Sequence, residues 1–104
     1  EVNREIGSQR GIAICYNDMG DIYRLRGDND KALNYYQMSL HLNEAIQDRY
    51  YLSINNLRLA EIFSEKNVNI EAIKYAKKAI ELSIETSNRN NLAKAYELMY
   101  KLQR

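Results

Sequence analysis

Residues 16–23, YNDMGDIY, set a glycine, Gly20, in the middle of a run whose apolar members fall at helical spacing. Ile12, Tyr16, Met19 and Tyr23 stand three or four positions apart and mark one stripe of an amphipathic helix. Glycine inside such a helix costs about 1 kcal/mol relative to alanine. Something must therefore lie so close to Gly20 that no side chain is wanted there.

Working outward from that stretch, a shift of 40 residues brings the chain into register with itself. Ile12 falls on Leu52 and Leu92, Tyr16 on Asn56 and Tyr96, and Met19 on Leu59 and Met99. Further along, Ala32 falls on Ala72, Leu33 on Ile73, Tyr35 on Tyr75, Leu40 on Ile80 and Leu42 on Leu82. Residue types that cap helix N-termini repeat too: Ser8, Asp48 and Asn88 share one register, Asn29 and Asn69 another. Each unit thus holds two helices, predicted at 9–26, 30–47, 49–66, 70–87 and 89–103, with Gly27 suited to the left-handed turn that ends the first. Residues 1–7 align with 41–47 and read as the tail of a preceding second helix. The expected organisation is one all-α domain over 1–104, with repeats at 8–47 and 48–87 and the first helix of a further repeat at 88–104. With no proline and only four glycines, strands are not expected.

Tyr16, Met19, Gly20 and Tyr23, followed by Ala32 and Tyr36, resemble the tetratricopeptide repeat pattern: an aromatic, then x-x-Leu-Gly-x-x-Tyr, then Ala-x-x-x-Phe. In the second unit Asn56, Leu59, Ala60, Phe63, Ala72 and Ala79 occupy the corresponding places, with Asn56 and Ala76 departing from aromatics. In the third, Tyr96 and Met99 fit, whereas Tyr100 stands where a small residue belongs and Gln103 where an aromatic does. The resemblance implies a right-handed superhelix of antiparallel helix hairpins, about five helices here, with a concave face lined by the first helix of each pair. It also implies that Gly20 and Ala60 let the first helix approach the second, with Ala32 and Ala72 facing them. The period exceeds the usual 34 residues. Glu44 and Ile84 stand where many such repeats place a proline, so the second helices can continue. About six extra residues add roughly 9 Å of helix at 1.5 Å per residue, a long-helix form similar to repeats in bacterial signalling proteins and some polarity scaffolds.

Composition removes several function classes. Fifteen Lys and Arg against 14 Asp and Glu leave a net charge of +1, without the excess of a nucleic-acid binder. The tyrosines sit largely at repeat-core registers, which makes them packing residues and not a stacking platform for bases. No apolar run approaches the roughly 18 residues of a membrane span, and no leader opens the chain. The single cysteine, Cys15, excludes an internal disulfide and is in keeping with a reducing, cytoplasmic compartment, the alternative being an extracytoplasmic sensor segment. A chain that begins with Glu1 suggests a segment of something longer.

Catalytic and metal chemistry find few candidates. His41, at the register of Glu1 and Glu81, is expected at the surface, and Cys15, aligned with Asn55 and Ala95, at an ordinary helix position. Asp18 and Asp21, three apart, are too few donors for a metal site. The DND at 28–30 lacks the glycine and closing glutamate of a calcium loop. Phosphate-binding glycine loops, HExxH, paired CxxC and GxSxG are absent from the sequence. No enzyme activity, cofactor or metal is therefore expected.

Carrying the family's groove positions over residue by residue implies a partner-binding surface of Asn17, Asp21 and Arg24, then Leu57, Arg58 and Glu61, then Lys94, Glu97 and Lys101. Asn17 and Asp21 stand where a chaperone-tail clamp needs lysine and asparagine, so that role is not expected. The expected function is a non-catalytic protein- or peptide-binding scaffold module, cut from a larger bacterial signalling or regulatory protein. The alternative is a peptide-sensing domain that switches an attached DNA-binding or kinase domain. Partners are a protein or peptide, without nucleic acid and with no membrane contact within this segment, and self-association through exposed array ends is a further expectation.

Overall fold

The computed structural model describes residues 2–103, with side chains from Gly7 onward. Five helices follow in order: α1 Val2–Leu25, α2 Asn29–Ile46, α3 Arg49–Glu65, α4 Asn69–Glu85 and α5 Arg89–Leu102. There is no strand among the described residues, so the all-α expectation holds. The chain divides into two compact units, Glu1–Asp48 and Arg49–Arg104. The first is the antiparallel hairpin of α1 and α2. The second holds α3 and α4 as another hairpin, with α5 packed on both.

The corners explain why the helices stop where they do. Gly27, Asn67, Gln47 and Ser87 all adopt positive φ, between 57° and 82°. They fall in two registers of the 40-residue period, 27 with 67 and 47 with 87. In each case the next residue's amide reaches back five positions: Asp28 to Tyr23 O at 2.9 Å, Asp48 to Asn43 O at 3.0 Å, Val68 to Phe63 O at 2.8 Å and Asn88 to Ser83 O at 2.9 Å. This is the Schellman closure, which satisfies carbonyls that a helix end leaves open. Only Gly27 adopts the left-handed conformation without a steric penalty.

The closures also place the caps. Asp28 caps α2 by accepting from Lys31 N at 3.1 Å, and Asn88 caps α5 by accepting from Asn91 N at 3.2 Å. Asn29 and Asn69, expected as caps, are instead the first helical residues, because the closure brings the preceding residue to the cap. At α4 that residue is Val68, which has no side-chain oxygen to offer. Ser8 is not a cap either: α1 runs unbroken from Val2, so the expected boundary between 7 and 8 is absent, and only Glu1 of the expected tail lies outside the described residues. Glycine and serine inside a helix cost about 1 kcal/mol or less each, which does not outweigh a continuous ladder of i→i−4 bonds.

Gly20 meets an aromatic ring. A Cβ added there would lie 2.5 and 2.6 Å from two carbons of Tyr36 on α2, well inside any tolerated contact. The residue opposite is thus Tyr36 and not Ala32 as expected. Tyr36 is fully buried, and its phenol donates to the Asp21 carboxylate one residue beyond Gly20. In the second unit Ala60, at the register of Gly20, packs with Ala76, at the register of Tyr36, and with Met99. Each pairing therefore balances volume: a bare backbone faces a tyrosine, or a methyl faces a methyl.

Other side chains tighten each unit separately. Near the turn of each hairpin two rings stack, Tyr23 on Tyr35 at 5.4 Å and Phe63 on Tyr75 at 5.6 Å between centroids. Ser39 Oγ donates to Ala13 O at 2.7 Å across the first hairpin. In the second unit Leu57, Ala79 and Ala95 form a closed cluster from three helices, flanked by Ile80 and Leu98. Beside it the buried Asn91 on α5 donates to Ser53 O at 2.8 Å on α3 and to Ser83 Oγ at 2.9 Å on α4. One carboxamide thereby joins three helices. At the open end of the hairpin Arg49 forks onto Glu85, its Nη2 3.1 Å from Oε1, and this hydrogen bond holds the Glu85 carboxyl below its usual range.

Two substitutions test this packing. Gly20→Leu forces bulk against the Tyr36 ring and is expected to cost roughly 1–3 kcal/mol, read as a lowered Tm; an unchanged Tm contradicts the close approach. Asn91→Ala removes both donations and is expected to cost about 1–3 kcal/mol in urea unfolding, whereas an unshifted midpoint contradicts the three-helix joint.

Candidate functional site

In the second unit α3 and α5 run side by side, with Ser53 beside Asn91 and Leu57 beside Ala95. An open groove of about 190 Å³ lies along them. Tyr50, Ile54 and Arg58 line its α3 wall, and Asn88, Asn90, Asn91 and Lys94 its α5 wall. Spacing of four along α3 puts the first three on one stripe, because residues i and i+4 share a helix face. The 40-residue shift maps Tyr50 onto Asn90 and Ile54 onto Lys94, so the two walls use the same registers of successive first helices.

The expected surface residues divide sharply. Arg58 and Lys94 are brought together in this groove. Glu61 sits one turn along α3 and pairs with Arg58 Nη1 at 3.5 Å, which aims the guanidinium. Leu57 is turned into the core: it stands one residue from Arg58, about 100° round the helix, and is fully buried in the cluster with Ala79 and Ala95. Asn17, in the same register on α1, is buried as well. Neither offers its side chain to a ligand. Glu97 shares that register yet is exposed, as is Lys101, since no further helix packs on α5 among the described residues.

In the first unit Asp21 is half-buried and engaged by the Tyr36 phenol, so its first role is to hold the hairpin. Arg24 is half-buried further along α1. A larger open depression of about 370 Å³ is lined by Tyr23, Lys31, Asn34, Tyr35 and Met38. Its aromatic surface is already taken: Tyr23 stacks on Tyr35, and Lys31 Nζ and Arg26 Cζ stand 5.3 and 5.9 Å from the Tyr23 ring. The smaller α3/α5 groove is the better candidate, because Arg58 and Lys94, two of the expected partner-facing residues, line it together.

Tyr50, Ile54 and Asn90 were not singled out by the sequence. The signal was present in the shift that pairs 50 with 90 and 54 with 94, but of those two registers only Lys94 was among the expected residues, and in the 17, 57 and 97 register Asn17 and Leu57 are turned inward.

His41 is exposed beside Glu44, with Nδ1 3.5 Å from Oε1, and Cys15 is an exposed free thiol. No group of three or more metal-ligating side chains occurs among the described residues. No helix among them is long and apolar enough to cross a membrane.

Residues 16–50 match the family model described as Tetratricopeptide repeat. That span takes in Gly20, the corner at 27–28, the buried Tyr36 and all of α2. Over residues 16–50, then, the chain is a tetratricopeptide repeat.

Proposed function

We propose that the chain is a non-catalytic scaffold module whose protein or peptide partner lies in the α3/α5 groove. Domains of this family bind proteins or peptides, and the observation that carries the assignment here is the meeting of Arg58 and Lys94 beside Tyr50 and Ile54 in one open cleft. Aromatic and arginine side chains are the usual anchors of such contacts. Arg58 and Glu61 hold the charged rim in place, and Asn91 fixes the distance between the walls. The reading keeps Arg58, Glu61, Lys94, Glu97 and Lys101 as partner-facing positions and adds Tyr50, Ile54 and Asn90. We place the module in a larger regulatory protein; the 18 and 17 residues of its second helices, α2 and α4, support the long-helix form associated with signalling.

Selection from a random peptide display library tests the assignment. Enriched peptides are expected to lose about tenfold in affinity for Arg58→Glu or Lys94→Glu, with the fold checked by circular dichroism. Affinity undiminished by both variants would move the binding surface elsewhere.

A further inference from the structure

We propose that α5 carries a self-complementary face on which a second copy of this chain docks, the two α5 helices running antiparallel. Arg89, Ala93, Tyr96 and Tyr100 are all exposed, and they fall within about 60° of one another round the helix. Their spacing of four, three and four is that of a helix–helix seam. The groove residue Lys94 lies about 100° round from the nearest of them, so the two surfaces are separate. The same registers are covered elsewhere in the chain. Ala13 and Ser53, in register with Ala93, are fully buried, and Gly20 and Ala60, in register with Tyr100, are buried too. In the first unit α2 covers them, with Ser39 donating to Ala13 O and the Tyr36 ring set against Gly20. A second helix that closes on α5 in that way needs a small side chain at 100, and Tyr100, 69% exposed, stands there instead.

What meets a face that alternates small with large is the same face reversed. Laid antiparallel in the register that sets Ala93 opposite Tyr96 of the second copy, the seam closes a methyl on a ring, and its two-fold axis repeats the contact. That register also sets Arg89 opposite Tyr100 of the second copy, a cation over an aromatic ring. Glu97 of the second copy then stands one turn from Arg89, within reach of its charge. Neither Arg89 nor Glu97 pairs with a charge of its own chain among the described residues. In a parallel arrangement Arg89 meets Arg89 and Tyr100 meets Tyr100, which forfeits both pairings. A contact between two helices of 14 residues belongs to the small class of interfaces, below about 1,200 Å², so the dimer is weak and forms only as concentration rises.

Sedimentation equilibrium of the intact chain, from about 10 µM to about 1 mM, tests the proposal. Dimers are expected to appear across that range, and Arg89→Glu to weaken them by roughly tenfold. Arg89→Glu combined with Glu97→Arg is expected to regain about fivefold. Positions 89 and 97 lie more than two turns apart on one helix, so such recovery reports a contact between chains. Direction is read by cross-linking in a Cys15→Ser background, with Ala93→Cys chains mixed with Tyr96→Cys chains and oxidised. The antiparallel register predicts mixed disulfides in excess of what random pairing gives. An excess of like with like overturns the arrangement. A strict monomer at the highest concentration, a dimer that Arg89→Glu leaves unchanged, or a loss that Glu97→Arg does not repair likewise overturns it.

Discussion

The approach of α1 to α2 at Gly20 is the constraint from which the rest of the first hairpin follows. A tyrosine ring occupies the space that any Cβ at Gly20 would need. Burying that ring contributes roughly 1.5–3 kcal/mol by apolar area alone, more than the about 1 kcal/mol lost by a glycine in mid-helix. The ring's hydroxyl would be costly to bury unpaired, and Asp21, next in sequence, accepts from it. Glycine, tyrosine and aspartate thus act as one unit: the first makes room, the second fills it and the third satisfies what the second brings in.

The second unit fills the corresponding place by another route. Ala60 and Ala76 share the space between them, and Met99 from α5 completes the contact. The departure of Ala76 from an aromatic, which reads as decay of the repeat pattern, is instead the counterpart of having alanine and not glycine at 60. Asn91 then spans α3, α4 and α5, so the groove walls rest on a buried hydrogen-bonded joint as well as on apolar packing. Polar groups satisfied in this way fix one geometry more firmly than greasy contacts do. A site that presents Tyr50, Arg58 and Lys94 in constant relation needs that firmness.

Much of this was legible in the sequence because helical periodicity and the 40-residue shift report on backbone architecture. Helices α2 to α5 lie within a residue or two of their predicted spans. The corner positions were less legible, since Gln47 and Ser87 are not residues that announce positive φ, and the caps moved by one place because the closure, and not the residue's cap preference, decides which position is used. The partner of Gly20 was misjudged for a reason of direction: in a helix a side chain leans towards the N-terminus, and Tyr36 reaches Gly20 where Ala32 was expected. The groove was less legible for a separate reason. A register one residue off turns a side chain by about 100°, which separates the half-buried, groove-lining Arg58 from the fully buried Leu57.

The close approach is tested most directly by a double-mutant cycle on Gly20→Ala and Tyr36→Ala, with stability measured by chemical denaturation. With Tyr36 in place, alanine at 20 is expected to lower stability. With Tyr36→Ala it is expected to raise stability by about 1 kcal/mol through helix propensity, giving a coupling of roughly 1–3 kcal/mol between the two positions. Effects that add to within about 0.5 kcal/mol would contradict the account, since they would mean that the ring and the glycine do not share the same space.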